Sequence, residues 1–196
     1  LKKPRIIIDA HMVGQNETGN ETYIVNLLRG LQEFDPPATF IVAVSKPDAL
    51  HMHIKQSDRF LFRAVSTNPF RRLVYELPFM AHREKADLLH VTYAGPVYCP
   101  CPIVVTIHDM AYRRKPEWFS LRDRIVLRTG IELTAPRATQ IITDSEHARS
   151  EICSLLNIKS SRVMVTPYAA SPIFQVAEKL EAPPILKRYA VRPPYI

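Results

Sequence analysis

The chemistry of this chain collects where apolar runs end. Residues 103–109 read IVVTIHD, a β-branched run that delivers His108 and Asp109. The run then breaks into Met110, Ala111, Tyr112 and the basic cluster Arg113, Arg114 and Lys115. A histidine with an ordinary near-neutral pKa can donate or accept a hydrogen bond at physiological pH. An aspartate beside it can orient a partner or hold charge. Neighbouring residues on a strand point to opposite faces. The pair therefore has a plainer reading, in which one member is buried and the other caps the chain. The same pattern recurs. Asp9 and His11 close RIIIDAH, Tyr93 closes DLLHVTY, Ser145 and Glu146 close QIITDSE, and Tyr168 closes VMVTPY. Open α/β sheets bind ligands beyond the carboxyl ends of their strands, so these residues are expected to converge on one cleft.

Two further segments bear on ligands. The loop MVGQNETGN, residues 12–20, feeds an apolar helical stripe of Tyr23, Ile24, Leu27, Leu28 and Leu31. Thr18 and Glu21 have capping-box spacing, and Gly14 and Gly19 allow close backbone approach. A loop entering a helix N-terminus suits an anion. Its glycine spacing matches neither a dinucleotide fingerprint nor a Walker A loop. The plainer reading is a capped helix with an exposed loop. Arg113, Arg114 and Lys115, with Arg71, Arg72 and Arg122, form an expected basic rim interleaved with Tyr112, Trp118 and Phe119. Basic plus aromatic surface suits nucleic acid or an anionic lipid interface; a solvated loop is the bland alternative.

The elements that must position these residues follow from periodicity. Strands are expected at 5–10, 40–45, 60–65, 87–93, 103–109, 140–144 and 162–166. Helices are expected at 18–33, at 70–83 with Pro78 as an interruption, at 121–138 behind Ser120, and at 146–156 behind Ser145. Short continuous apolar strands separated by helices predict a Rossmann-like α/β fold, a mostly parallel sheet covered on both faces.

At 196 residues and 46% hydrophobic content, one domain is the default. Lys and Arg number 26 against 19 Asp and Glu, a net charge of +7 that favours anionic partners. The three cysteines are Cys99, Cys101 and Cys153. The CPCP spacing is awkward for a mutual disulfide, and an odd count fits a reducing, cytoplasmic setting. No second Cys/His pair has zinc-like spacing. The start, LKKPRIIIDA, shows no signal peptide. No run approaches the ~20 apolar residues of a membrane span.

Four segments also resemble one family. IIIDAHMVGQNETGNETYIVNLLRGL, DLLHVTY, VVTIHDM and IITDSEHARSEICSLLNIKSSRVMVTPYAASPIF occur in the order and spacing of the N-terminal half of group 1 (family 4) glycosyltransferases. These are retaining enzymes of two Rossmann-like domains, the GT-B architecture. The resemblance implies an acceptor-side domain over residues 1–182. Residues 183–196, rich in proline, resemble a linker opening an absent donor domain. It implies a catalytic role at His108, and Asp109 beside it is the second catalytic candidate that the residues themselves offer. It places Gly14, Thr18, Gly19 and Asn20 near a donor diphosphate. Asp9, Tyr93, Arg113, Ser145 and Glu146 become acceptor-side candidates. The expected partners are a nucleotide-sugar donor, mannose-like among the options, and a saccharide or lipid-linked acceptor at the inner face of a membrane. No metal or other cofactor is expected. Glu21 and Thr22 stand where glycine and arginine often stand in that family, and a carboxylate there repels a diphosphate unless Glu21 turns back to the capping box. The residues alone also admit a non-catalytic Rossmann-like module that binds a nucleotide or nucleic acid through the basic rim.

Overall fold

The computed structural model describes residues 3–170 and 186–192. Along the chain run β1 (Arg5–Asp9), α1 (Thr18–Phe34), β2 (Thr39–Val44), α2 (Pro47–His51), β3 (Phe60–Ala64) and α3 (Pro69–Arg71). A π-helical turn, Arg72–Glu76, leads into α4 (Leu77–Arg83), then β4 (Leu88–Thr92) and β5 (Ile103–Thr106). They are followed by α5 (Ala111–Arg114), α6 (Leu121–Thr134), β6 (Gln140–Thr143), α7 (Glu146–Leu156) and β7 (Val163–Val165). The expected linker prolines Pro183, Pro184, Pro193 and Pro194 lie outside the described residues.

The seven strands form one sheet in the order β3-β2-β1-β4-β5-β6-β7, with every pairing parallel. β1 is the pivot, pairing with β2 on one side and β4 on the other. The strand order reverses there, and the carboxyl ends of β1 and β4 border the crevice that such a reversal opens. β2 is buried almost throughout, as a parallel strand covered on both faces must be. On one face α1 and α2 close a core containing Ile24, Leu28, Val42, Leu50 and Phe60. On the other, the helices after β3, β5 and β6 close a second core containing Leu77, Leu89, Val105, Ile131, Ile141 and Ile152. Burying each such side chain contributes about 1.5–3 kcal/mol.

The caps are mostly where the sequence puts them. Ser120 Oγ accepts the Asp123 N–H at 3.1 Å, and Ser145 Oγ accepts the Ala148 N–H at 3.2 Å. α6 is shorter than expected and ends at Thr134. Pro136 has no N–H to extend the ladder. The expected break at Pro78 takes another form. The Leu77 N–H bonds the Arg72 carbonyl, five residues back. This wider turn carries the helical run past the proline.

α1 begins without the expected capping box. Its N-cap position is Glu17, and no side chain caps it. Glu21 Oε1 instead accepts the Gly14 N–H at 2.7 Å. Glu21 does turn back, but onto the loop. Gly14 sits at φ +78°, and a Cβ there would lie 2.7 Å from the Ala49 Cβ. Only glycine fits this turn.

Candidate functional site

Two neighbouring regions form at the carboxyl end of the sheet. The first lies over β1 and β4. Asp9, fully buried at the end of β1, receives three hydrogen bonds. The His11 backbone N–H and ring Nδ1 reach its Oδ1 at 3.2 and 3.0 Å, and Arg72 Nε reaches Oδ2 at 3.2 Å. Burial alone would raise the Asp9 pKa, but His11 and then Arg72 outweigh it and hold the carboxyl below its usual range. Arg72 comes from the π-helical turn, a device common at functional sites. His11, Gln15, Asn20, Arg72, Thr92 and Tyr93 are among the polar residues that line a cavity of about 860 Å³. Apolar side chains supply its walls, among them Phe70, Leu73, Val74, Ile125, Val126 and Leu133. The Thr92 hydroxyl is buried with no partner among the described residues.

The second region surrounds His108, two residues past the end of β5. Three tyrosine rings surround it. Tyr23 lies at 4.8 Å, Tyr93 at 5.5 Å and Tyr168 at 5.8 Å between ring centroids. The Tyr168 hydroxyl contacts His108 Nδ1, with Asp144 Oδ2 at 4.0 Å from the same nitrogen. His108 Nε2 is buried with no partner among the described residues. Burial lowers the His108 pKa, opposed in part by Asp144 and Asp109. The ring is therefore neutral near pH 7. A neutral ring that accepts from the Tyr168 hydroxyl carries its proton on Nε2, leaving an unspent donor. Beneath lies a polar relay. Tyr23 OH and Thr106 Oγ1 are 2.9 Å apart, and His90 Nε2 lies 2.8 Å from the same Oγ1. Burial lowers the His90 pKa to about 4, against the pull of Asp9.

The expected residues are only partly gathered. Asp9 and Tyr93 join the first region, and His108 the second. Tyr93 serves both from a left-handed backbone, φ 59°. Asp109 is exposed, and its Oδ1 accepts the Ala111 N–H at 2.8 Å at the start of α5. Ser145 caps α7, and Glu146 faces solvent beside Arg149 at 3.3 Å. Asn20 lines the first cavity. Gly19 instead lines a second concavity of about 1470 Å³, on the sheet face that carries α1. Gly14 is engaged on both sides, because its carbonyl accepts from Lys46 Nζ at 2.7 Å. Thr18 opens α1.

The basic rim is a correction. Arg113 Nε reaches Glu132 at 3.1 Å and its Nη1 reaches the Leu155 carbonyl at 3.2 Å, so Arg113 clamps α6 to α7. Arg114 pairs with Glu151 at 2.7 Å. Arg72 is buried on Asp9. Arg71 pairs with Glu76 at 2.8 Å and Lys115 lies 4.0 Å from Glu117, so five of the six cations have a carboxylate partner within the fold. Residues missed from the sequence are Arg72 as a buried partner, Tyr23, Thr106, His90 and Asp144. Asp144 was open to the same strand-end rule that selects Asp9.

Among the described residues, no group of three or more His, Cys, Asp or Glu is arranged to hold a metal ion. No described helix is long and apolar enough to cross a membrane.

A parallel sheet in this order, with side chains gathered at its switch point, defines a Rossmann-like domain of the GT-B kind. The family model for Glycosyltransferase Family 4 matches residues 18–170, and the chain belongs to that family. No curated protein matches it. Solved structures share the fold at low identity. A glycosyltransferase from Rickettsia africae is 14% identical with a TM-score of 0.56, over 98% of this chain and 51% of that one. Anabaena HepE, solved in complex with UDP, is 13% identical with a TM-score of 0.60, over 95% and 50%. S. aureus MnaA, also solved with UDP, is 16% identical with a TM-score of 0.58, over 97% and 52%. The chain spans about half the length of the structures it matches.

Proposed function

We propose that this chain is the acceptor-binding half of a retaining glycosyltransferase that uses a nucleotide-sugar donor. The observation that carries the reading is His108, neutral, surrounded by three tyrosine rings of which Tyr93 also lines the switch-point cavity, with an Nε2 that has no partner among the described residues. Aromatic side chains present apolar bodies with polar tips, which suits a sugar ring. A positioned donor in a water-poor site stabilises charge that develops as a leaving group departs. His108 takes that role, and Tyr168 holds its ring. The UDP bound in the HepE and MnaA structures supports a nucleoside diphosphate as the donor's leaving group.

The acceptor lies in the 860 Å³ cavity. His11, Arg72 and Thr92 meet its polar part, and the apolar walls meet a hydrophobic portion. That division favours a lipid-linked acceptor. Exposed Leu121, Ile125 and Val126 on α6, beside Arg122 and Arg124, supply the membrane contact.

The test is a transfer assay on the full-length polypeptide, with the product's anomeric configuration read by proton NMR. Product of the donor's own configuration supports the reading. Inverted product overturns retention. Transfer by residues 1–196 alone overturns the assignment of this chain to the acceptor side.

A further inference from the structure

The β4–β5 connection, residues 93–102, carries two thiols that the transfer reaction does not use. Cys99 Sγ and Cys101 Sγ lie 3.5 Å apart at the end of the sheet opposite the candidate site. The proline between them did not hold the sulfurs apart. Cys101 is buried against the second core, and Cys99 is half-exposed. Closing the gap to the ~2.05 Å of a disulfide is a movement of about 1.5 Å. Residues 99–101 lie in neither helix nor strand.

We infer that Cys99 and Cys101 form a reactive dithiol that exchanges with low-molecular-weight disulfides and closes into a reversible intraloop disulfide. Cys99 is the attacking sulfur. It is the more accessible, and it accepts hydrogen bonds from both the thiol and the backbone N–H of Cys101, which bring its pKa down to about 7. The buried Cys101 thiol is pushed up, because its proton is held by Cys99. The Cys99 thiolate attacks one sulfur of the small disulfide, a mixed disulfide forms, and one small thiolate leaves. Cys101 loses its proton and attacks Cys99 Sγ, and the second small thiolate leaves. The protein gives up two electrons and two protons, and the small disulfide becomes two thiols. The ring spans a single proline, and strained disulfides are the labile ones. The bond is therefore reopened by excess thiol.

The probe is glutathione disulfide on the whole chain, read by intact and peptide mass. Trypsin leaves both cysteines in one peptide, residues 86–113, and Cys153 in another, residues 150–159. The wild type is expected to lose two hydrogens within the first peptide and to keep no glutathione. Cys101→Ser is expected to trap one glutathione on Cys99. Cys99→Ser is expected to take up glutathione on Cys101 at least ~10-fold more slowly, because Cys101 is buried and Cys99 is not. A stable glutathione adduct on the wild type, equal rates in the two variants, or a cross-link to Cys153 would each overturn the inference. Phenylarsine oxide gives a check free of oxidation. It must bridge the wild-type pair and be released by either serine variant, and failure to bind the wild type refutes the proximity itself. None of these readouts depends on glycosyl transfer.

Discussion

His11 and His108 both follow the carboxyl end of a central strand, yet their surroundings are opposite. His11 is held by charge. Its ring gives Nδ1 to Asp9, whose other oxygen is taken by Arg72. His108 is held by three tyrosine rings and one tyrosine hydroxyl, and its Nε2 has no partner among the described residues. The Asp9 network largely satisfies itself and fixes the backbone at the switch point. The His108 cluster is incomplete until something accepts from it. A buried donor without a partner costs ~1–3 kcal/mol, and a ligand oxygen at that position recovers the loss. The first region builds the crevice, and on the proposed reading the second meets what enters it.

The contrast breaks most sharply at Arg72. Arg72→Ala strands Asp9 as a buried charge and should cost about 3–5 kcal/mol in urea unfolding at pH 7. Replacing both partners, Asp9→Asn with Arg72→Met, should recover most of that. A single variant as stable as the wild type would show that the network holds nothing.

The pH dependence of stability probes the layer beneath. Burial holds His90 at about 4, against an ordinary 6.5. Between those values the unfolded chain binds a proton that the native chain refuses. Stability is therefore complete above pH 6.5 and falls as pH drops toward 4, by on the order of 3 kcal/mol. Asp9 acts lower. Its folded pKa lies below 3.8, so its contribution is present above that value and is lost as pH falls through the folded pKa. In urea titrations across this range, His90→Gln should flatten the upper window and leave the lower one. An unchanged slope would remove His90 as its source.

His108→Ala in the full-length transferase should lower kcat by roughly 10²-fold, with thermal stability kept. His11→Ala should act mainly on acceptor KM. Equal losses of kcat from the two variants would erase the distinction between the regions. The smallest effect concerns α6. Co-sedimentation with anionic vesicles should weaken in an Arg122→Ala, Arg124→Ala double variant, by on the order of 1 kcal/mol per charge at low salt, and the difference should vanish as salt rises. Equal binding to neutral vesicles would leave only the apolar contact.

Much of this was legible because central parallel strands must be apolar on both faces. FIVAV and IVVT read as strands, and the residues following them read as a rim. Ser120 and Ser145 announced their helices by local chemistry alone. What escaped depends on long-range contact. Arg72 looked like one more surface cation, because nothing in its neighbours reveals Asp9, 63 residues earlier. Arg113 looked free, because Glu132 faces it only once α6 docks. Tyr23 read as one member of a core stripe, since helical spacing cannot tell a packed ring from one whose hydroxyl meets Thr106. The cysteine spacing looked unfavourable on chain geometry, yet the loop turns both sulfurs to the same side.

β1's place in the sheet also sets a timetable for a chain leaving the ribosome. The core beneath α1 draws its buried residues from Ile8 to Phe60. It is complete in composition before any residue of β4 has been made. The opposite core starts with Ile7 and waits for Val163. The sheet grows first toward β3, then resumes on the other side of β1 and adds β4 to β7 in order of synthesis. Until β4 arrives, the free edge of β1 stands unpaired in the nascent chain, a template for any passing strand. Cotranslational folding thus has a vulnerable interval, from the completion of β3 to the docking of β4; Asp9 has been made before it opens, and its partner Arg72 emerges within it.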